Sequence, residues 1–177
     1  MYTAERTDLN KYILYKEGRQ TVSTIQFTDK FAVWPAEGAP LTASITGSAL
    51  DAYPQFSING VSYTARRKLL TNNFLLNHYD VWLDKGGEAA IKIRLEPPKW
   101  KSRLSYQGRD YILERHGTFT FRYTLSDAAG QLIASFRETT PFLQFSVRRN
   151  FSLQTFGPID EVLLTFAFWI GATTIYR

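Results

Sequence analysis

Four groups of cations supply the side chains best suited to ligand chemistry: Arg66-Arg67-Lys68, Lys92 with Arg94, Lys99 with Lys101 and Arg103, and Arg148-Arg149. Residues two apart in a strand point to the same side, so Lys92 and Arg94 share a face, as do Lys99, Lys101 and Arg103. Guanidinium and ammonium groups gathered on one face can hold phosphate through charge-assisted hydrogen bonds. Lys92, Arg94, Lys101 and Arg103 are therefore the candidate anion patch. Trp100 and Tyr106 flank it and would either dip into an interface or pack in the core. The competing assignment for the same cations is ordinary: solvent-facing strand positions that keep sheet edges from pairing with other chains.

Other chemistry is poorly provided for. His78 and His116 are the two histidines. A metal site would need them to converge with carboxylates such as Asp80 or Glu114, since three or four ligands are required. Asp80 with Asp84, or Glu114 with Asp110, could be posed as acid–base pairs, but nothing near them sets them apart from strand and turn acids. Cysteine is absent, which excludes disulfides, thiolate metal sites and a cysteine nucleophile. There is no G-x-S-x-G elbow, phosphate-cradling glycine loop or dinucleotide fingerprint. The expectation is a protein without catalytic residues, metal or cofactor. Its 21 lysines and arginines against 16 acids give a formal charge of +5, which favours anionic partners. The cations are scattered and belong to no nucleic-acid motif, so nucleic acid is the disfavoured partner.

The elements that must position these residues read as short strands. Residues 12–15 and 21–27 flank a glycine-containing turn, with further strands at 31–34 and 41–45 inside a Gly-, Ala- and Pro-rich connection. Residues 56–58 and 61–65 flank Asn59-Gly60, the strongest short hairpin signal in the chain. Residues 74–83 form a strand ended by a turn at Gly86-Gly87. Residues 88–96 alternate, with Ala89, Ile91, Ile93 and Leu95 on one face and Lys92 and Arg94 on the other. After Pro97-Pro98 come strands at 100–106, 111–115, 118–125, 131–137, 142–148 and 151–156, with a corner at Arg149-Asn150. The period then changes. Residues 162–176 carry no charge and are apolar all round, which a helix tolerates only when surrounded. At about 1.5 Å per residue the run is short of the ~30 Å that a spanning helix must cross. Pro158 suits the start of this helix, and Asp160 and Glu161 suit the positive end of its dipole.

Strands followed by one apolar C-terminal helix make an order that resembles the tubby C-terminal-like superfamily, which includes tubby-like, phospholipid scramblase and LURP-one-related proteins. The residues that carry the resemblance run from 119 to 177: FTFRYTLSDAAGQLIASF, FLQFSVRRNFSL and PIDEVLLTFAFWIGATTIYR. The resemblance implies a closed antiparallel β-barrel of about twelve strands, spanning about 11–156, around a core helix at about 159–176, all in one domain. It also implies two kinds of activity. Tubby-like domains bind phosphoinositides through lysine and arginine, whereas scramblases carry calcium sites and acylated cysteines. This chain has neither a cysteine nor a spaced D-x-D loop.

The leading expectation is a non-enzymatic module that meets anionic phospholipid head groups or another phosphorylated ligand through basic strand faces. Residues 1–20 have no apolar core of signal-peptide type, so a cytoplasmic protein, peripheral to a membrane, is the default. The alternatives are a carrier of a hydrophobic small molecule and a structural or protein-interaction domain.

Overall fold

In a computed structural model of the protein, residues 1–8, 11–17, 20–26, 54–69, 79–95, 101–117, 121–140 and 148–175 are described. The strands are β1 (Tyr2–Asp8), β2 (Lys11–Lys16), β3 (Gln20–Gln26), β4 (Gln55–Ile58), β5 (Val61–Leu69), β6 (Tyr79–Lys85), β7 (Glu88–Leu95), β8 (Lys101–Tyr106), β9 (Arg109–Arg115), β10 (Arg122–Asp127), β11 (Leu132–Glu138) and β12 (Arg149–Thr155). One helix follows, α1 (Glu161–Ile175). Each strand pairs antiparallel with its sequence neighbours, and β1 pairs with β12 from Tyr2 opposite Leu153 to Arg6 opposite Arg149. The sheet is thereby a closed barrel of twelve strands, without an edge to protect.

Hairpin chemistry accounts for much of the register. Asn59 and Gly60 have φ of 51° and 76°, and Gln107 and Gly108 have 49° and 73°. Two successive positive φ values match the twist of the flanking strands, which is why the Asn-Gly pair joins β4 to β5 so tightly.

Several expectations shift at the margins. The barrel begins at Tyr2 rather than near residue 11, because closure needs a strand between β12 and β2. Tyr2 and Ala4 of β1 fill the interior side. In β7 the predicted face breaks at its start: Leu83 stands opposite Ile91 but Asp84 opposite Ala89, so a bulge intervenes. Ala89 is turned to solvent while Ile91 and Ile93 stay in the core. Arg149 and Asn150 are not a corner but the first residues of β12. The strands expected at 31–34 and 41–45 lie outside the described residues, as does the one at 142–148 except for Arg148.

The interior is filled by α1. Leu164, Phe166, Ala167 and Phe168 are fully buried although they point in different directions around the helix. The Phe168 ring meets Tyr12, Phe121 and Phe151 at centroid separations of 5.9, 5.8 and 5.2 Å, each edge-on, the geometry that ring quadrupoles favour. Trp169 meets Phe56 edge-on at 5.2 Å. A polar contact lies within this apolar space: Thr165 Oγ1 donates to Ser23 Oγ at 3.0 Å, and both residues are buried. The helix starts three residues after Pro158. Asp160 caps it, accepting from the Val162 amide at 2.8 Å, and Glu161 opens the first turn.

Among the described residues no helix is long and apolar enough to cross a membrane. The barrel's own sides are patterned apolar within and polar without, as in β4, β7 and β8. A lipid-spanning barrel has the reverse pattern.

Candidate anion-binding surface

All four predicted patch residues lie on the outer face of β7 and β8. Register places Arg94 directly opposite Arg103, and Lys92 opposite Ser105. Beside them on β6, Asp80 stands opposite Arg94. Asp80 is only 5% exposed, yet it holds two cations. Arg94 Nε donates to its Oδ1 at 3.0 Å, Arg94 Nη2 to its Oδ2 at 3.4 Å, and Lys92 Nζ lies 2.8 Å from Oδ2. Hydrogen bonds from Arg94, then those from Lys92, outweigh burial and hold the Asp80 carboxyl below its ordinary value. The carboxylate thus seats the two cationic heads side by side, with both side chains still about half exposed, at 51% and 54%. Lys101 Nζ pairs with Glu114 Oε2 at 3.1 Å. Arg103 is exposed and forms no ion pair among the described residues. Of the flanking aromatics, Tyr106 is buried inside the barrel. Lys99 and Trp100 lie outside the described residues.

This face belongs to a larger asymmetry. The tight turns after β4, β6, β8 and β10 and the link from β12 to α1 all lie at one end, the mouth through which the helix enters. Counted by strand position, the mouth carries Lys16, Lys85 and Arg109 against seven acids: Glu17, Asp84, Glu88, Asp110, Asp127, Asp160 and Glu161. Leaving aside Glu5, Arg66 and Lys92 at mid-strand, the described residues toward the far end include twelve cations against four acids, Asp8, Asp80, Glu114 and Glu138. Arg66-Arg67-Lys68 runs from the middle of β5 into that half, and Arg148-Arg149 lies there too. So do Arg6, Lys11, Arg115, Arg122 and Arg137, none of which stands in a sequence cluster. A distance from the nearest glycine turn of about half a hairpin or more is the sequence signal that marks them. Among the described residues, charge is therefore divided along the barrel axis, with a surplus of cations toward the far end.

At the mouth, carboxylates fasten the helix to the rim. Glu161 Oε2 accepts from Asn59 Nδ2 at 2.6 Å, and its Oε1 accepts from the Tyr2 hydroxyl at 3.1 Å and Lys16 Nζ at 3.4 Å. Burial opposes ionisation of Glu161, but the hydrogen bonds from Asn59, Tyr2 and Lys16 prevail and leave its carboxyl below the ordinary value. Tyr106 is pushed up, by burial first and then by its hydrogen bond to Asp160. A cleft of about 410 Å³ opens beside the helix start, lined by residues that include Tyr106, Arg109, Asp127, Phe156 and Asp160.

The other candidate groups are used structurally. Asp84 accepts from the Gly87 amide at 2.7 Å and pairs with Arg66 at 2.6 Å, and Asp110 accepts from Ser105 Oγ at 2.8 Å. His116 Nε2 is 2.8 Å from Thr124 Oγ1, while His78 lies outside the described residues. Among the described residues no three His, Cys, Asp or Glu side chains gather as a metal site would require.

Fold and surface together define a closed β-barrel with an internal helix and, among the described residues, segregated charge. Comparison of the chain with protein-family models, curated proteins and solved structures found no match.

Proposed function

We propose that the protein is a non-enzymatic binding module that meets anionic phospholipid head groups through the basic far end of its barrel and the adjoining β7–β8 face. The observation that carries this reading is the charge segregation among the described residues: twelve cations against four acids toward one end and three against seven toward the other. A dipolar body of this kind approaches an anionic surface basic end first, and its attraction falls with ionic strength. Asp80 supports the reading from below, because it fixes Lys92 and Arg94 with their heads together at the surface. On this proposal the chain is a tubby C-terminal-like protein, cytoplasmic and peripheral to a membrane, of the lipid-binding kind.

The test is co-sedimentation with phosphatidylcholine vesicles with and without phosphatidylinositol bisphosphate, at low and high salt. Pelleting with the anionic vesicles, reduced by salt, is expected. Each basic residue near such a surface contributes about 1 kcal/mol. Combined replacement of Lys92, Arg94, Lys101 and Arg103 by glutamine should therefore weaken binding by roughly a thousandfold. Binding that ignores head-group charge, or survives the fourfold replacement intact, would overturn the proposal.

A further inference from the structure

Strand pairing sets two arginines directly opposite each other at three places among the described residues: Arg6 with Arg149, Arg94 with Arg103, and Arg122 with Arg137. Like charges so placed destabilise a strand pair. At the first two places the protein relieves the repulsion itself. Arg149 Nη1 donates to Glu138 Oε1 at 3.0 Å, and Arg94 donates to Asp80. At the third it does not. Arg122 and Arg137 are both exposed, and neither forms an ion pair among the described residues. The carboxylates on adjoining positions are taken, Glu138 by Arg149 and Glu114 by Lys101.

A second, independent feature lies beside the pair. Arg137 lines a groove of about 530 Å³ whose walls include Ser135, Thr139, Thr140, Ser152 and Gln154. Ser152 is the direct cross-strand neighbour of Arg137. Thr140 Oγ1 accepts from the Asn150 amide at 2.7 Å, so its hydroxyl hydrogen is left to donate elsewhere. The groove thus offers the positive charge of Arg137, which Arg122 faces from β10 outside the groove wall, and a wall of neutral hydroxyl and amide groups, with its one acid, Glu138, already neutralised by Arg149.

We infer that Arg122 and Arg137, with the hydroxyl wall beside them, form a binding site for a phosphoryl group. A phosphomonoester carries close to two negative charges at neutral pH and three terminal oxygens that accept hydrogen bonds. It matches two guanidinium groups in charge, whereas a carboxylate would leave one positive charge uncompensated. Ser135, Ser152 and Gln154 then face the polar remainder of the ligand. This site is on β10 and β11; its two arginines also belong to the basic far end, but its recognition of a soluble phosphate does not depend on the membrane reading.

The test uses the full chain and four probes: inorganic phosphate and glycerol 3-phosphate by calorimetry, and phosphatidylcholine vesicles containing either phosphatidic acid or phosphatidylserine. Arg122→Gln and Arg137→Gln should each weaken binding of the phosphoryl probe at least about tenfold, the loss expected for a hydrogen bond to a charged group. The pair Lys92→Gln with Arg103→Gln, which leaves the Lys101–Glu114 pair in place, should leave soluble-phosphate affinity unchanged. Without phosphate, Arg122→Gln and Arg137→Gln should melt at or above the wild-type temperature, since repulsion is removed, and added phosphate should reverse that order. A response to the soluble esters assigns the site a soluble ligand. A response to phosphatidic acid alone assigns it a lipid head group. The inference is overturned if the wild type binds none of the phosphoryl probes, or if the double variant binds them as tightly as the wild type. It is also overturned if the loss is equal on phosphatidylserine, which marks general charge attraction. Because soluble-phosphate binding and salt-sensitive vesicle binding are read separately, either reading can fail while the other stands.

Discussion

Truncating Phe168 to alanine tests whether α1 is the core of the barrel or a detachable anchor. Phe168 is fully buried and touches three rings, from β2 (Tyr12), from β12 (Phe151) and from just before β10 (Phe121). Phe→Ala in a close-packed interior costs about 3–5 kcal/mol, combining lost transfer energy with the cavity left behind. The upper half is expected here, because the surrounding rings are held by a closed sheet that cannot collapse inward. For a domain of this size 1 kcal/mol corresponds to about 2–4 °C, so a 4 kcal/mol loss lowers the melting temperature by roughly 8–16 °C. Urea unfolding followed by tryptophan fluorescence measures the change. Phe156→Ala is the control, since Phe156 is 48% exposed and should change stability by no more than about 0.5 kcal/mol. Phe168→Asp places an unpaired charge at the same point and should abolish soluble expression. A Phe168→Ala loss below about 1 kcal/mol would refute the reasoning, as would a folded, soluble protein lacking residues 162–177.

Two further outcomes follow from the same geometry. Glu161 is depressed in the folded protein, so the stability it contributes is present above its unfolded value of about 4.5 and is lost as pH falls through the lower folded value. Urea unfolding at pH 7 and near pH 3 should therefore show a smaller acid loss in Glu161→Gln than in the wild type; equal losses would mean the rim contacts do not matter. At Gly171 a Cβ would sit 3.3 Å from Tyr123 Cδ2 and 3.4 Å from Phe121 Cε2. Gly171→Val should cost about 1–3 kcal/mol through overpacking. Gly171→Ala should stay near neutral, because its helix-propensity gain of about 1 kcal/mol offsets the tight contact. Thermal melts of the two variants that gave the opposite order would refute the close approach.

Much of the barrel was legible because its signals are local. Alternation in β7 and β8, positive-φ turns such as Asn59-Gly60, and an uninterrupted apolar run after Pro158 each report one element without reference to any other. β1 was harder to see. Charges at Glu5, Arg6 and Asp8 mask its pattern, and Tyr2–Asp8 becomes a strand by pairing with β12 at the opposite end of the chain. Ala89 leaves the face that alternation predicts for a related reason: a bulge depends on two strands, and one strand's period does not contain it.

The candidate site divides along the same line. That Lys92 and Arg94 share a face, and Lys101 and Arg103 another, follows from the two-residue repeat of a strand, and the sequence alone determines it. It also determines that the terminal helix must be enclosed, since no face of it can meet water. Only the tertiary structure decided that the two cation pairs adjoin and that Asp80 lies beneath one of them. It alone set Arg122 against Arg137 from fifteen residues away and divided the charge between the two ends of the barrel. These are properties of register and closure, which depend on how hairpins pair around a ring rather than on any residue's neighbours in the chain.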